Sequence, residues 1–196
     1  MKEISKFISQ VLFFLFIFFI NANSEVLKIG DEKAKITVKV FSSLTCPHCA
    51  NFHLNIFKKL KKDYIDKNIV KFEHHSFPLD LAALNAEIIV RCHKNKKRNF
   101  QLLGEIYKKQ NQWAVGSDIN IINESIKKIG LNNGLNEEKM NNCLNDENQQ
   151  DQILNERIEA QKKYNIESTP TIYINKKKYK GEPDYKQFKK AIEKLL

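Results

Sequence analysis

The sequence predicts a mixed α/β domain whose sheet is interrupted by a helical insertion. Three observations lead there. Residues 36–77 read as strand, helix, strand. Helical patterns alone then fill residues 80–164. A hairpin and a last helix close the chain from Thr171 onward. Strand, helix, strand makes a right-handed crossover and implies a parallel pair, whereas the closing hairpin must be antiparallel.

Each element has its own warrant. Ile36, Val38 and Val40 alternate with Thr37 and Lys39, the period of a half-buried strand through Phe41. Over 47–65, Phe52, Ile56, Leu60 and Tyr64 recur every four residues and leave the lysines at 58, 59, 61 and 62 mostly outside, a helix with one apolar stripe. Ile69 to Phe77 is rich in strand formers. Leu84, Ile88 and Cys92 share one face of a helix over 80–95, and Phe100 to Lys109 continues the helical pattern. Ser117 or Asp118 caps a helix that stops at Gly130. Asn136 caps a short one through Cys143 and Leu144, and 148–164 forms a longer polar one. Thr171–Ile174 and Lys177–Lys180 pair as the hairpin, and Asp184 caps the last helix with Gln187 in the capping-box position.

Composition sets the class. The chain has 196 residues, 42% hydrophobic and 29% charged, which fits a folded globular domain and excludes wholesale disorder. Four cysteines are too few for a disulfide-dense mini-scaffold. The net charge is +10, but the lysines are scattered among asparagines and read as solvated faces, so no nucleic-acid partner is expected. Residues 1–24 stand apart. Lys2 and Lys6 precede the apolar run Val11–Ile20, and Ala22 and Ser24 occupy the −3 and −1 positions of a cut after Ser24. That is the layout of a secretory signal peptide. The run is short of the ~20 residues that cross a bilayer; the alternative is an uncleaved N-terminal anchor.

The chemistry is concentrated in Cys46-Pro47-His48-Cys49, at the junction of the first strand and first helix. Proline suits the first helical position, because its missing N–H costs nothing there. Cys46 then lies at the helix N-terminus, where free N–H groups and the positive dipole end favour thiolate. His48, in the same turn, can add a hydrogen bond or a charge. Cys49, one turn on, faces the helix body as a shielded resolving thiol. Zinc uses the same spacing but needs two further ligands, and His53, His74, His75, Cys92 and His93 form no second tight pair. Haem attachment needs His directly after Cys49, and Ala50 is there. A purely structural Cys46–Cys49 bond would close too short a loop to stabilise much. No metal or cofactor is expected. The second element is Thr169-Pro170 before the strand at Thr171. Proline cannot donate to a ladder and fits a strand's start, as an ordinary trans residue or, beside a redox pair, as a cis proline in a turn against the site.

With Phe77-Pro78-Leu79 and Asn111-Gln112-Trp113, these two elements make the chain resemble the DsbA-type thiol–disulfide oxidoreductases of the thioredoxin superfamily, from about Ile29 to the C-terminus. Pro-His between the cysteines is typical of that family's oxidase branch; Gly-Pro is typical of the reducing thioredoxins. The resemblance implies a thioredoxin-like domain over 25–196 with its helical insertion at about 80–165. It implies that Thr169 offers its backbone to an extended substrate, with Pro170 cis. It also implies a periplasmic monomer that donates its disulfide to exported client proteins with free thiols and is reoxidised by a membrane-embedded, quinone-linked partner. An isomerase or reductase of the same fold, or a non-catalytic binding or chaperone module, are the alternatives. One departure stands out: many relatives place a buried acidic residue six positions before the first cysteine, and here that residue is Val40.

Cys92 and Cys143 remain. Both fall on helix stripes in the insertion, where two free buried cysteines would pack well. Some family members carry a second disulfide in that region, and the resemblance implies a Cys92–Cys143 bond. Its loop of about fifty residues would be worth roughly 4 kcal/mol in the chain-entropy model. His53 reads as a partly buried helix residue, His93 as solvated and Trp113 as packing. His74 and His75 point to opposite faces of one strand, so at most one reaches the core.

Overall fold

A computed structural model describes residues 26–93 and 95–196. The expected signal peptide at 1–24 lies outside the described residues. Among them, no helix is long and apolar enough to cross a membrane.

The strands are β1 (Leu27–Ile29), β2 (Ile36–Ser42), β3 (Val70–Ser76), β4 (Thr171–Ile174) and β5 (Lys177–Lys178). They form one sheet in the order β1-β3-β2-β4-β5. β2 pairs parallel with β3 and antiparallel with β4, and β1 and β5 close the two edges antiparallel. Position on the sheet explains burial. Central β2 puts Val38, Val40 and Phe41 at 0–1% exposure. Edge β5 is fully exposed.

Helix α1 spans 47–65 and carries β2 over to β3. Its stripe Phe52, Ile56, Leu60 and Tyr64 is buried throughout. In a straight α-helix of about 3.6 residues per turn, a strict four-residue repeat drifts around the axis. Wider π turns over Phe52–Phe57 and Lys61–Ile65 take up that drift and keep the stripe on the sheet. Between β3 and β4 run α2 (Leu81–Arg91), α3 (Lys96–Lys108), α4 (Gln110–Trp113), α5 (Ile119–Asn132), α6 (Glu137–Leu144) and α7 (Glu147–Tyr164). α8 (Tyr185–Glu193) packs Phe188 and Ile192 onto the sheet's core.

The caps follow the sequence closely. Asp80, Asn95, Asp118, Asn136, Asp146 and Asp184 each accept a backbone N–H at a helix start. Several expectations need correction. α5 runs on to Asn132, because Gly130 is not a stop: a Cβ there would overlap Met140 Sδ, so this glycine lets α5 and α6 meet. β5 holds two residues, not four. β1 was not expected at all. It is too short to show alternation, and Gly30, at φ 105°, turns the chain directly after it.

His93 is buried at 7% exposure, against the expected solvated face. It follows Cys92, which is bonded to Cys143 and so holds the α2 end against α6. His74 reaches the core at 2% exposure, where its Nε2 lies 3.1 Å from the Glu87 carboxylate. Arg91 bridges Glu87 and Glu156 at 2.8 Å each, and Glu156 also accepts the Ser76 N–H at 3.0 Å. This buried network ties β3 to α2 and α7.

Candidate active site

Register brings the two sequence elements together. Phe41 of β2 lies opposite His75 of β3 and opposite Thr171 of β4. The segment leaving β2 therefore emerges beside the segment entering β4. The first is 43–46; the second is Ser168-Thr169-Pro170. The Thr169–Pro170 peptide bond is cis. Cys46 Sγ donates to the Thr169 carbonyl oxygen at 3.3 Å, although the two residues lie 123 positions apart.

The loop is fixed before the helix begins. Thr45 Oγ1 donates to Asp80 Oδ2 at 2.7 Å, and the other oxygen of Asp80 caps α2. Ser43 accepts the Leu79 N–H on its hydroxyl at 3.3 Å, and Cys46 N–H donates to the Ser43 carbonyl at 3.2 Å. Cys46 is the N-cap of α1, with extended φ −79° and ψ 119°, and Pro47 takes the first turn. Its carbonyl accepts from the N–H groups of Cys49 (3.1 Å) and Ala50 (3.2 Å).

The two thiols are free and unlike each other. Cys46 is 8% exposed and Cys49 1%. The Cys46 pKa is lowered to about 5. The Cys49 thiol, which donates to it, is the largest cause, and Thr169 and the N–H groups of Cys49 and His48 add to it against the cost of burial. Burial pushes the Cys49 thiol far up, and the neighbouring Cys46 charge pushes it further. Among the described residues Thr169 Oγ1 is buried with no other partner, and its O–H stabilises the Cys46 thiolate. Pro47 and His48 are exposed. The His48 ring makes no hydrogen bond among the described residues, so its contribution to the sulfur here comes through its backbone N–H.

Several residues around the loop were not read as site residues. Gln110, on α4, is buried, and its Nε2 donates to the carbonyls of Leu44 (2.7 Å) and Cys46 (3.1 Å). A signal was present: Ile106, Gln110 and Trp113 fall at i, i+4 and i+7, which places one polar residue on an otherwise apolar stripe. Asp80 and Ser43 carried no such signal, because they matter only through the loop they hold. One turn past Cys49, His53 is stacked on Phe57 and tilted against Tyr107, at centroid distances of 4.6 and 4.9 Å. Burial lowers its pKa to about 3 and keeps it neutral. Among the described residues no three His, Cys, Asp or Glu side chains are placed to hold a metal ion. A groove of about 1310 Å³ runs at the other end of the sheet between the β4–β5 hairpin and α8, and Cys46 does not line it.

Residues 22–194 match the thioredoxin family model. The chain belongs to the DsbA-type thiol–disulfide oxidoreductases of the thioredoxin superfamily. Disulfide bond formation protein D of Bacillus subtilis is 31% identical over 180 residues, covering 86% of this chain and 76% of that one. A Rickettsia bellii relative is 35% identical over 122 residues, which span 46% of its length. Among solved structures, alpha-DsbA1 of Wolbachia pipientis superposes with a TM-score of 0.80 at 30% identity, over 87% of this chain and 90% of its own. Oxidised BdbD of Bacillus subtilis superposes with a TM-score of 0.77 at 25% identity, over 87% and 92%. This DsbA-type enzyme therefore exchanges thiols and disulfides.

Proposed function

We propose that this enzyme is exported and works as an oxidase, donating a Cys46–Cys49 disulfide to exported proteins. The observation that carries the direction is the contrast between the two sulfurs: Cys46 is held at about 5 and Cys49 far above its ordinary value. A dithiol with one sulfur stabilised as thiolate favours the reduced form, so its disulfide is a strong oxidant.

A client thiolate attacks Cys46 Sγ of the disulfide, the S–S bond breaks, and Cys49 leaves and takes up a proton. A second client thiolate attacks the client sulfur of the mixed disulfide, and Cys46 leaves as the stabilised thiolate. Two electrons pass from client to enzyme. Thr169 faces the sulfur with its carbonyl, and main-chain pairing there accommodates extended clients with little regard for sequence. The reduced enzyme then needs an oxidant, for which a membrane-embedded, quinone-linked partner is the reading that fits export to the periplasm. The leader-like segment with Lys2, Lys6 and the run Val11–Ile20 supports that compartment. We read the working unit as a monomer.

The test is to mix the oxidised protein with a peptide dithiol and to equilibrate the pair with glutathione. Rapid peptide oxidation, a potential well above that of reducing thioredoxins, and complete loss in Cys46→Ser are expected. A low potential with efficient insulin reduction would make the enzyme a reductase. Full activity in Cys46→Ser would overturn the assignment of the nucleophile.

A further inference from the structure

We propose that Gln110 is a positioning residue for the reactive thiol, clamping the loop that presents Cys46 from the helical segment opposite it. The inference rests on Cys46 being the nucleophile, as proposed above.

One side-chain nitrogen spends both its hydrogens on this loop, at 2.7 Å to the Leu44 carbonyl and 3.1 Å to the Cys46 carbonyl. Leu44 is 1% exposed and Gln110 itself 9%, so water does not readily replace the amide. With Gln110, Cys49 N–H and Ala50 N–H, the Cys46 carbonyl has three donors. That carbonyl is one end of the ψ bond that directs the Cys46 side chain. Holding it turns the sulfur toward the Thr169 carbonyl and toward the backbone N–H groups of His48 and Cys49 in the first helical turn.

The clamp is itself braced. Ala114 N–H donates to the Gln110 carbonyl at 2.9 Å, and Trp113, at 1% exposure, donates its Nε1–H to the Ile106 carbonyl at 2.9 Å. The short helix α4 is thus an anchor, and Gln110 is its one reach into the loop. Val40, on β2, supplies nothing polar to this site. Among the described residues its polar support comes from α4, from the start of α2 and from Thr169.

The test uses Gln110→Met, which keeps length and volume and removes both donors. In the reduced protein, thiolate absorbance against pH gives the Cys46 midpoint, and equilibration with glutathione gives the potential. Both bonds go to carbonyls and are made in thiol and thiolate alike, so only the part of their strength that orients the sulfur is read: the midpoint should rise by about half a unit and at most about one, roughly three- to ten-fold less thiolate at low pH. The same ten-fold makes the couple about 30 mV more reducing.

Ile153→Val thins the packing of α7 on α2, away from the loop, and serves as the control for mere destabilisation. It should lower melting temperature with the midpoint unmoved. An unchanged midpoint in Gln110→Met, or an equal shift in Ile153→Val, overturns the proposal. If Gln110→Met does not fold, the unmodified protein decides. The side-chain amide resonances of Gln110 should then titrate with Cys46, and amide resonances flat across that midpoint would reject the clamp. Mapping the first alkylated cysteine keeps the two readings separate. Alkylation elsewhere than Cys46 sinks the assignment of the nucleophile. Alkylation at Cys46 with an unmoved midpoint sinks only the role of Gln110.

Discussion

Replacing Cys49 with alanine should raise the pKa of Cys46 substantially without returning it to the ordinary value. The Cys46 thiol sits at about 5 instead of 9.0, and the largest single cause is the hydrogen bond from the Cys49 thiol. A hydrogen bond to a charged group is worth about 1.5–3 kcal/mol. At 1.36 kcal/mol per pKa unit, its loss moves the midpoint up by about one to two units, to roughly 6–7. The Thr169 hydroxyl and the N–H groups at the helix start survive the substitution and hold the remainder. Thiolate absorbance against pH reads the midpoint directly, and alkylation rate against pH checks it independently. Cys49→Ser, which keeps a shorter donor, should fall between the two proteins. A midpoint still near 5 in Cys49→Ala would show that the resolving thiol contributes nothing. A midpoint back at 9.0 would show that Thr169 and the helix terminus contribute nothing. Either result refutes the account of the site given above.

Cys46 should also make the stability of the reduced protein depend on pH. A pKa lowered from 9.0 to about 5 contributes stability that is full above 9, declines as pH falls, and is gone below 5. At pH 7 it is at most about 3 kcal/mol, less what solvent screening removes. Guanidinium denaturation of reduced wild type against Cys46→Ala from pH 5 to 9 should show a widening gap; a constant gap contradicts the shift. Glu87 is opposed by burial but held at about 2 by His74 and Arg91, so its stabilisation is lost as pH falls from the ordinary carboxylate range toward 2. Glu87→Gln should cost about 1.5–3 kcal/mol by urea denaturation at neutral pH, because Arg91 and His74 lose a charged acceptor while Arg91 keeps Glu156; a cost near zero would mean the network relaxes freely. The Cys92→Ala/Cys143→Ala double variant opens a bond spanning 51 positions and should lose about 4 kcal/mol in the chain-entropy model. A loss near zero would place the stabilisation in the packing of α2 on α6 instead.

What the sequence determined by itself was local. Alternation in β2, the four-residue stripe of α1 and the Asp and Asn caps are written in neighbouring residues, because each depends on backbone geometry within a few positions. The proposed nucleophile was legible for the same reason: Cys46-Pro47 defines a helix start, and a helix start favours a thiolate. The Thr169-Pro170 turn was legible as a strand entrance. That it faces Cys46 across 123 positions follows only from the register of β4 on β2. The same limit applies to the rest of the site. Gln110 became part of it when α4 was laid against the loop at 44–46, and Asp80 when one carboxylate oxygen was left over from its cap. The hidden strand β1, the burial of His93 and the pairing of His74 with Glu87 were likewise decided by packing. A polar side chain signals its own type in the sequence, but its partner is chosen by the tertiary fold, because a buried donor must find an acceptor wherever the chain places one.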